Sequence, residues 1–366
     1  MINVTKTYLP SFEEYSAVLK RAWDKGWIAN NGVLVQELEQ KLKEYLGIKN
    51  LLFTGNGTIV LQMALKALNI TKQVITTPFS YVATINTILW EGCHPVFVDI
   101  DPQTMCIDAD KIEAAITSDT QAILATHVYG IPCDVEKIAA IAQKHNLKVI
   151  YDGAHAFGCT YGGKSLLGYG DICTCSFHAT KIFHTVEGGC IVCNANELDH
   201  QLMLYRQFGH VYDDYISIGI NAKNSEFHAA MGLVNLTHLE MNINNRRTIT
   251  EYYDKKLESS GIQRLIIPRD ISYNYSYYPV LFDTEIVLLK AILQLNKMEI
   301  FPRRYFYPSL NTLPFLQSGE MPISEDISKR VLCLPLFHDL SFEQVDLITG
   351  SLISSLKNKT YANSRS

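Results

Sequence analysis

Lys181 closes the stretch Ser176-Phe177-His178-Ala179-Thr180-Lys181, just past the β-rich run Ile172-Cys173-Thr174-Cys175, and Glu187-Gly188-Gly189 follows it. Lysine is seldom buried without a partner or a task. Desolvation lowers its hold on a proton, and the freed lone pair makes it an amine nucleophile suited to Schiff-base chemistry. Asp152 ends the apolar run Val149-Ile150-Tyr151 and precedes Gly153-Ala154-His155-Ala156. A carboxylate at the end of a buried strand needs a cation or several hydrogen bonds. Gly57-Thr58 follows a further strand and opens a helix, where small residues let backbone N–H groups approach an anion and the helix dipole favours negative charge. Tyr81 stands in the first turn of the next helix, where its ring can cover a flat ligand. Each feature has a plainer reading: exposed lysine, capping aspartate, turn glycine, packing tyrosine. Their order along one chain is far more specific than any one of them.

An anion cradle, a ring-covering aromatic, a buried carboxylate and an amine together describe a pocket for pyridoxal phosphate. The carboxylate keeps the ring nitrogen protonated so that the ring is an electron sink, and the lysine forms the Schiff base.

Such groups meet only if the elements place them at one edge of a sheet. Leu34, Leu38, Leu42 and Leu46 step by four residues before Gly47, which predicts an amphipathic helix over 32–46. Short apolar runs then alternate with helical stretches. Strands are expected at 51–53, 74–77, 95–99, 122–126, 147–152 and 172–177, and helices at 58–68, 80–90, 110–116 and 134–145. This is the pattern of a mainly parallel sheet covered on both faces, with ligands at the carboxyl ends of its strands. Beyond Gly189 the pattern changes. A helix is expected from Asn196 to Phe208, an irregular loop over 212–223, and a long helix from about Ser225 toward Leu257 with a break near 242–245. A strand at 275–282, a helix at 285–297 and a last helix capped by Ser341 and Gln344 complete a second, α+β lobe. We divide the chain into 1–240, the ligand-binding domain, and 241–366, the smaller domain; the polar tail 358–366 is expected to be disordered.

The 366 residues allow a large core, and the net charge of −5 with scattered Lys and Arg speaks against nucleic acid or anionic membrane as main partners. No signal pattern opens the chain and no apolar run approaches membrane-spanning length. Nine cysteines without a secretion signal are expected to be reduced and buried, in a cytoplasmic protein. Cys190-Ile191-Val192-Cys193 has the spacing of half a zinc site or of a redox pair, but it lies in an apolar strand with no second pair at metal-site distance, so a structural role and no metal are expected.

The chain resembles the DegT/StrS family of pyridoxal-phosphate sugar aminotransferases from about Gly26 to His338. The resemblance is carried by Gly57-Thr58, Pro78-Phe79-Ser80-Tyr81-Val82-Ala83-Thr84, Asp152-Gly153-Ala154-His155-Ala156, the Ser176–Lys181 stretch with Glu187-Gly188-Gly189, and Gly219-Ile220-Asn221. It implies the aspartate aminotransferase fold (fold type I), with a mainly parallel seven-stranded sheet and a smaller α+β C-terminal domain. It further implies Lys181 as the Schiff-base lysine, Asp152 on the pyridine nitrogen and Tyr81 on the ring. Ser176, Gly57 and Thr58 would hold the phosphate, and His155 would lie near the ring hydroxyl. Asn221 would reach the phosphate of a neighbouring subunit's cofactor, so a homodimer is expected. Lys223 stands where relatives often carry arginine, and His184 where a small polar residue is more usual. L-glutamate is the implied donor. The Ser-Phe-His-Ala-Thr-Lys wording and Arg303-Arg304-Tyr305-Phe306-Tyr307-Pro308 are similar to members that aminate the 4-keto carbon of dTDP-4-keto-6-deoxyglucose. His184, Arg303, Arg304 and Tyr305 are accordingly expected to face the substrate, the two arginines meeting its diphosphate. A 3-keto or UDP-linked acceptor, and a sensor that binds cofactor without turnover, are the competing readings. A nicotinamide enzyme is disfavoured because no G-x-G-x-x-G follows the first strand.

Overall fold

The structure, a computed structural model, describes residues 1–316 and 318–357; the tail at 358–366 lies outside the described residues. Its centre is a sheet of seven strands: β1 Asn50–Thr54, β2 Gln73–Thr76, β3 His94–Phe97, β4 Thr120–Thr126, β5 Lys148–Asp152, β6 Ile172–Ser176 and β7 Gly189–Cys193. Their spatial order is β1-β7-β6-β5-β4-β2-β3. β7 is antiparallel to both neighbours, and the remaining pairings are parallel. The expected sheet is therefore present, with one reversed strand.

Buried residues alternate between two apolar layers, as a sheet covered on both faces requires. Phe53, Ile123, Ala125, Cys175 and Cys190 face one layer, with the helices Val33–Leu46 and Val135–His145. Leu52, Ala122, Leu124 and Ile191 face the other, with Gly57–Ala67 and Val82–Trp90. Leu34, Leu38, Leu42 and Leu46 are the buried stripe of their helix, which ends on left-handed Gly47.

The smaller lobe has a three-stranded antiparallel sheet, Gln263–Arg264, Tyr278–Leu281 and Val331–Leu334. The helices Glu285–Lys297 and Phe342–Lys357 contribute to its separate apolar cluster. Ser341 and Gln344 form the expected reciprocal cap, at 3.0 and 3.2 Å. No helix among the described residues is long and apolar enough to cross a membrane.

Four features differ from the sequence reading. The helix Glu226–Leu257 runs 32 residues without interruption. Asn242 and Ile243 are buried in it, so packing outweighs the weak helix propensity of the Asn-Ile-Asn-Asn stretch. The 240/241 division falls inside this helix: Leu233 and Leu239 join the large core, Ile249 and Tyr253 that of the small lobe. The N-terminal strand Ile2–Asn3 pairs with Ile300–Phe301 of the small lobe. Within the loop after the Asn196–Arg206 helix, His210–Val211 and Asp214–Tyr215 pair as a short hairpin.

Candidate active site

The carboxyl ends of β1, β2, β4, β5 and β6 open onto a cavity of about 350 Å³. Lys181, Asp152, His155, Ser176, Gly57, Thr58 and Tyr81 all line it, joined by Arg303 and Tyr305 from the small lobe. The loop that carries Lys181 is anchored by apolar neighbours. Phe177, Ile182 and Phe183 are buried, and the rings of Phe157, Phe177 and Phe183 pack with centroids 4.5–5.4 Å apart. The loop is closed by Thr185 N–H donating to the Phe177 carbonyl at 3.0 Å. Burial pushes the Lys181 ammonium below its ordinary pKa, against the opposite pull of the Asp152 carboxylate.

Asp152 is buried at the end of β5. Its Oδ1 accepts the Ala154 N–H at 3.0 Å, and its Oδ2 accepts the Thr84 hydroxyl at 2.8 Å. Thr84 in turn contacts Ser80 at 2.9 Å, and Ser80 contacts Thr126 at 2.9 Å.

His155 receives the Tyr129 N–H on Nδ1 at 3.1 Å and lies parallel to the Phe306 ring, centroids 5.5 Å apart. A neutral ring that accepts at Nδ1 carries its proton on Nε2. Burial, and then the Lys181 charge, hold its pKa well below the ordinary value. Tyr129 makes this contact from a left-handed backbone, φ 54°.

The helix Gly57–Ala67 starts against the end of β6. A Cβ on Gly57 would lie 2.7 Å from that of Ser176, so only glycine lets the two elements approach so closely. Asn56 is its cap, its Oδ1 accepting the N–H groups of Thr58 at 3.0 Å and Ile59 at 2.9 Å. The Thr58 amide is thus engaged by Asn56, while its residue still lines the cavity. Tyr81 is the N-cap of its helix rather than a first-turn residue, and is 61% exposed.

The DegT/DnrJ/EryC1/StrS aminotransferase family matches residues 11–353. The chain belongs to this family. It is 42% identical to a dTDP-4-amino-4,6-dideoxy-D-glucose transaminase of Shigella dysenteriae over 96% of this chain and 98% of that one. An Escherichia coli transaminase of the same name is 40% identical over 97% and 99%. Among solved structures, DesI crystallised in the presence of its TDP-sugar product superposes with a TM-score of 0.93 at 29% identity, covering 100% of this chain and 96% of that one. The family fold is the type I architecture expected from the sequence.

Two residues expected on the substrate side of this family site lie elsewhere. His184 is buried away from the cavity: its Nδ1 accepts the Val186 N–H at 3.2 Å and its Nε2 lies 2.6 Å from the Tyr8 carbonyl. It ties the N-terminal segment to the loop after Lys181. Arg304 pairs with Glu285 at 2.7 Å, donates to the Lys329 carbonyl at 3.0 Å and stacks on Tyr307. The reason is geometric. Arg303 exchanges backbone hydrogen bonds with Cys333 at 2.8 and 3.2 Å, so the segment is extended and successive side chains leave on opposite sides. Arg303 and Tyr305 enter the cavity and Arg304 leaves it. Asn221 is exposed outside its own chain's cavity, bridged to Gln207. Sequence reasoning missed Ser80, Thr84 and Thr126, as well as Tyr277 and Phe306 in the wall. Only the helix-start position of Ser80 and Thr84 hinted at the former.

Proposed function

We propose that the chain is a pyridoxal-phosphate aminotransferase that moves the amino group of L-glutamate to the 4-keto carbon of dTDP-4-keto-6-deoxy-D-glucose, yielding 2-oxoglutarate and dTDP-4-amino-4,6-dideoxy-D-glucose, a precursor of surface polysaccharide. The observation that carries it is Lys181 and the buried Asp152 meeting across one cavity, in a chain 42% identical over nearly its whole length to a transaminase of that name.

The residues present fit the cofactor. The close Gly57–Ser176 approach, which a Cβ would prevent, brings Ser176 beside the helix N-terminus that suits a phosphate, and a buried carboxylate faces a lysine with a lowered pKa. Bound there, pyridoxal phosphate supplies an electron sink for the substrate carbon that loses or gains a proton. The chain's own residues supply the rest. Asp152 would hold the ring nitrogen through its cavity-facing carboxylate oxygen. Ser176, the Gly57 amide and Thr58 would hold the phosphate, Tyr81 would cover the ring, and the Nε2–H of His155 would meet the ring hydroxyl. Lys181, neutral between turnovers, takes the proton from the α-carbon of the amino donor and returns one to the acceptor carbon. Arg303 meets the nucleotide diphosphate, with Tyr305 beside it.

Asn221 serves the site of a second copy in a homodimer. Exposed Phe208, Tyr212, Tyr215, Ile216, Ile218 and Ile220 support this, forming an apolar surface beside Asn221 that a partner would cover. The nine buried thiols agree with a reducing, cytoplasmic setting.

The test is a visible absorption spectrum of the purified protein with pyridoxal phosphate, followed by L-glutamate and then the keto sugar. A band bleached by glutamate and restored by dTDP-4-keto-6-deoxyglucose supports the reading. Restoration only by 3-keto or UDP-linked sugars moves the substrate, a band that glutamate leaves unbleached with no product formed favours the sensor, and no band at all removes Lys181 from its role.

A further inference from the structure

Asp152 does not hold its position alone. Thr126 at the end of β4, Ser80 before the Val82–Trp90 helix and Thr84 in that helix's first turn form an unbroken file of hydroxyls. The successive contacts are 2.9, 2.9 and 2.8 Å, and the last ends on Asp152 Oδ2. All three are buried, at 3%, 2% and 1% exposure. Each hydroxyl owns one proton, and an ionised carboxylate can only accept. The direction of the file is therefore fixed. Thr84 gives its proton to Asp152, so its oxygen accepts from Ser80, and the Ser80 oxygen accepts from Thr126. Three dipoles point the same way, toward the carboxylate, and each polarises the next.

We propose that Thr84, aligned by Ser80 and Thr126, is a positioning residue that fixes the Asp152 carboxylate and aims its other oxygen into the cavity. Oδ2 is engaged by the file, and Oδ1, already fixed by Ala154 N–H at 3.0 Å, is the oxygen left to meet the ring nitrogen. The inference rests on the cofactor reading above. Removing the Thr84 hydroxyl takes away the hydrogen bond that holds Oδ2, so the carboxylate is no longer fixed against the ring nitrogen. The ring nitrogen then holds its proton less firmly and the electron sink weakens.

Thr84→Val keeps the shape of the side chain and removes the donor; Thr84→Ser keeps the donor; Thr126→Val shortens the file by its outermost member. For each variant and for wild type, three quantities are measured: the dissociation constant of pyridoxal phosphate, the pH midpoint of the visible absorbance of the Lys181-linked cofactor, and kcat and KM for L-glutamate. Thr84→Val is expected to weaken cofactor binding about tenfold, the scale of one hydrogen bond to a charged group. It should also move the absorbance midpoint upward and lower kcat while KM for glutamate stays within twofold. Thr84→Ser should restore all three, and Thr126→Val should shift them in the same direction by less. A merely structural Thr84 would lower thermal stability without moving the absorbance midpoint, and that result overturns the proposal. So does a Thr84→Val protein indistinguishable from wild type. If Thr84→Val does not fold, an unchanged absorbance midpoint in Thr126→Val overturns it as well. Failure of wild type itself to bind the cofactor sinks the underlying reading, a different outcome from a wild-type band that the variants leave unmoved.

Discussion

The backbone N–H of Tyr129 donates to Nδ1 of His155 at 3.1 Å, from a residue held at φ 54°. A strained residue whose amide fixes the tautomer of a cavity histidine is a device for aiming Nε2–H. The tyrosine is itself anchored: its hydroxyl donates to the Tyr305 carbonyl, and its carbonyl accepts the Tyr273 hydroxyl at 2.9 Å. In nitrogen-detected NMR, His155 is expected to keep the neutral Nε2–H form below the pH at which free histidine titrates. A doubly protonated ring at pH 6 would contradict it. His155→Ala leaves the buried Tyr129 amide unpaired and should cost about 1–3 kcal/mol in urea unfolding.

Acid should destabilise the protein before its carboxylates protonate. His127 is fully buried, stacked on Tyr151 with centroids 4.5 Å apart, and burial holds its pKa down to about 3. The unfolded chain takes up that proton near ~6.5, so this contribution is complete above that pH and is lost as pH falls toward the folded value. At pH 5 the loss is about 2 kcal/mol. Comparing unfolding free energies at pH 7.5 and 5 for wild type and His127→Gln checks this: the variant's pH dependence should be smaller by about that amount.

The adjacent arginines should separate cleanly. Arg303→Ala is expected to raise KM for the nucleotide sugar tenfold or more, on the scale of a lost charge-assisted contact, with little change in melting temperature. Arg304→Ala removes the links to Glu285 and Lys329 and should lower the melting temperature by several degrees with KM nearly unchanged. The reverse pattern would exchange their roles.

Why one arginine was misassigned shows where sequence reading stops. The strands, the leucine stripe before Gly47 and the Ser341–Gln344 cap were legible because local spacing dictates them. The convergence of Lys181, Asp152 and Gly57 was legible because parallel strands must bring such ends together. Arg304 and His184 were not, since the direction of a side chain beyond a strand depends on partners distant in sequence: Cys333 for the arginine segment, Tyr8 for the histidine. The uninterrupted Glu226–Leu257 helix escaped because tertiary burial of Asn242 overrides its propensity. The hydroxyl file escaped for the same reason, its members lying on three different elements.

Shared sites are testable by mixing. Lys181→Ala removes the amine of its own chain's cavity, and Asn221→Asp places a negative charge where the partner's phosphate is proposed to bind. Each homodimer should be inactive. Co-folding the two variants should regain turnover, because one site of the hybrid then has both native residues. If the mixture stays inactive while the hybrid forms, Asn221 does not act across an interface.

Glu226, fully buried at the head of the long helix, accepts the Leu34 and Val35 amides at 2.7 and 3.1 Å, and the same helix carries Tyr253 into the far cluster. At 1.5 Å per residue it is a shaft of about 48 Å clamped at both ends. Neither lobe can melt while the other stays intact without snapping that shaft in mid-span. Heat should therefore register both lobes as one calorimetric peak, a single cooperative unit in spite of their separate apolar clusters.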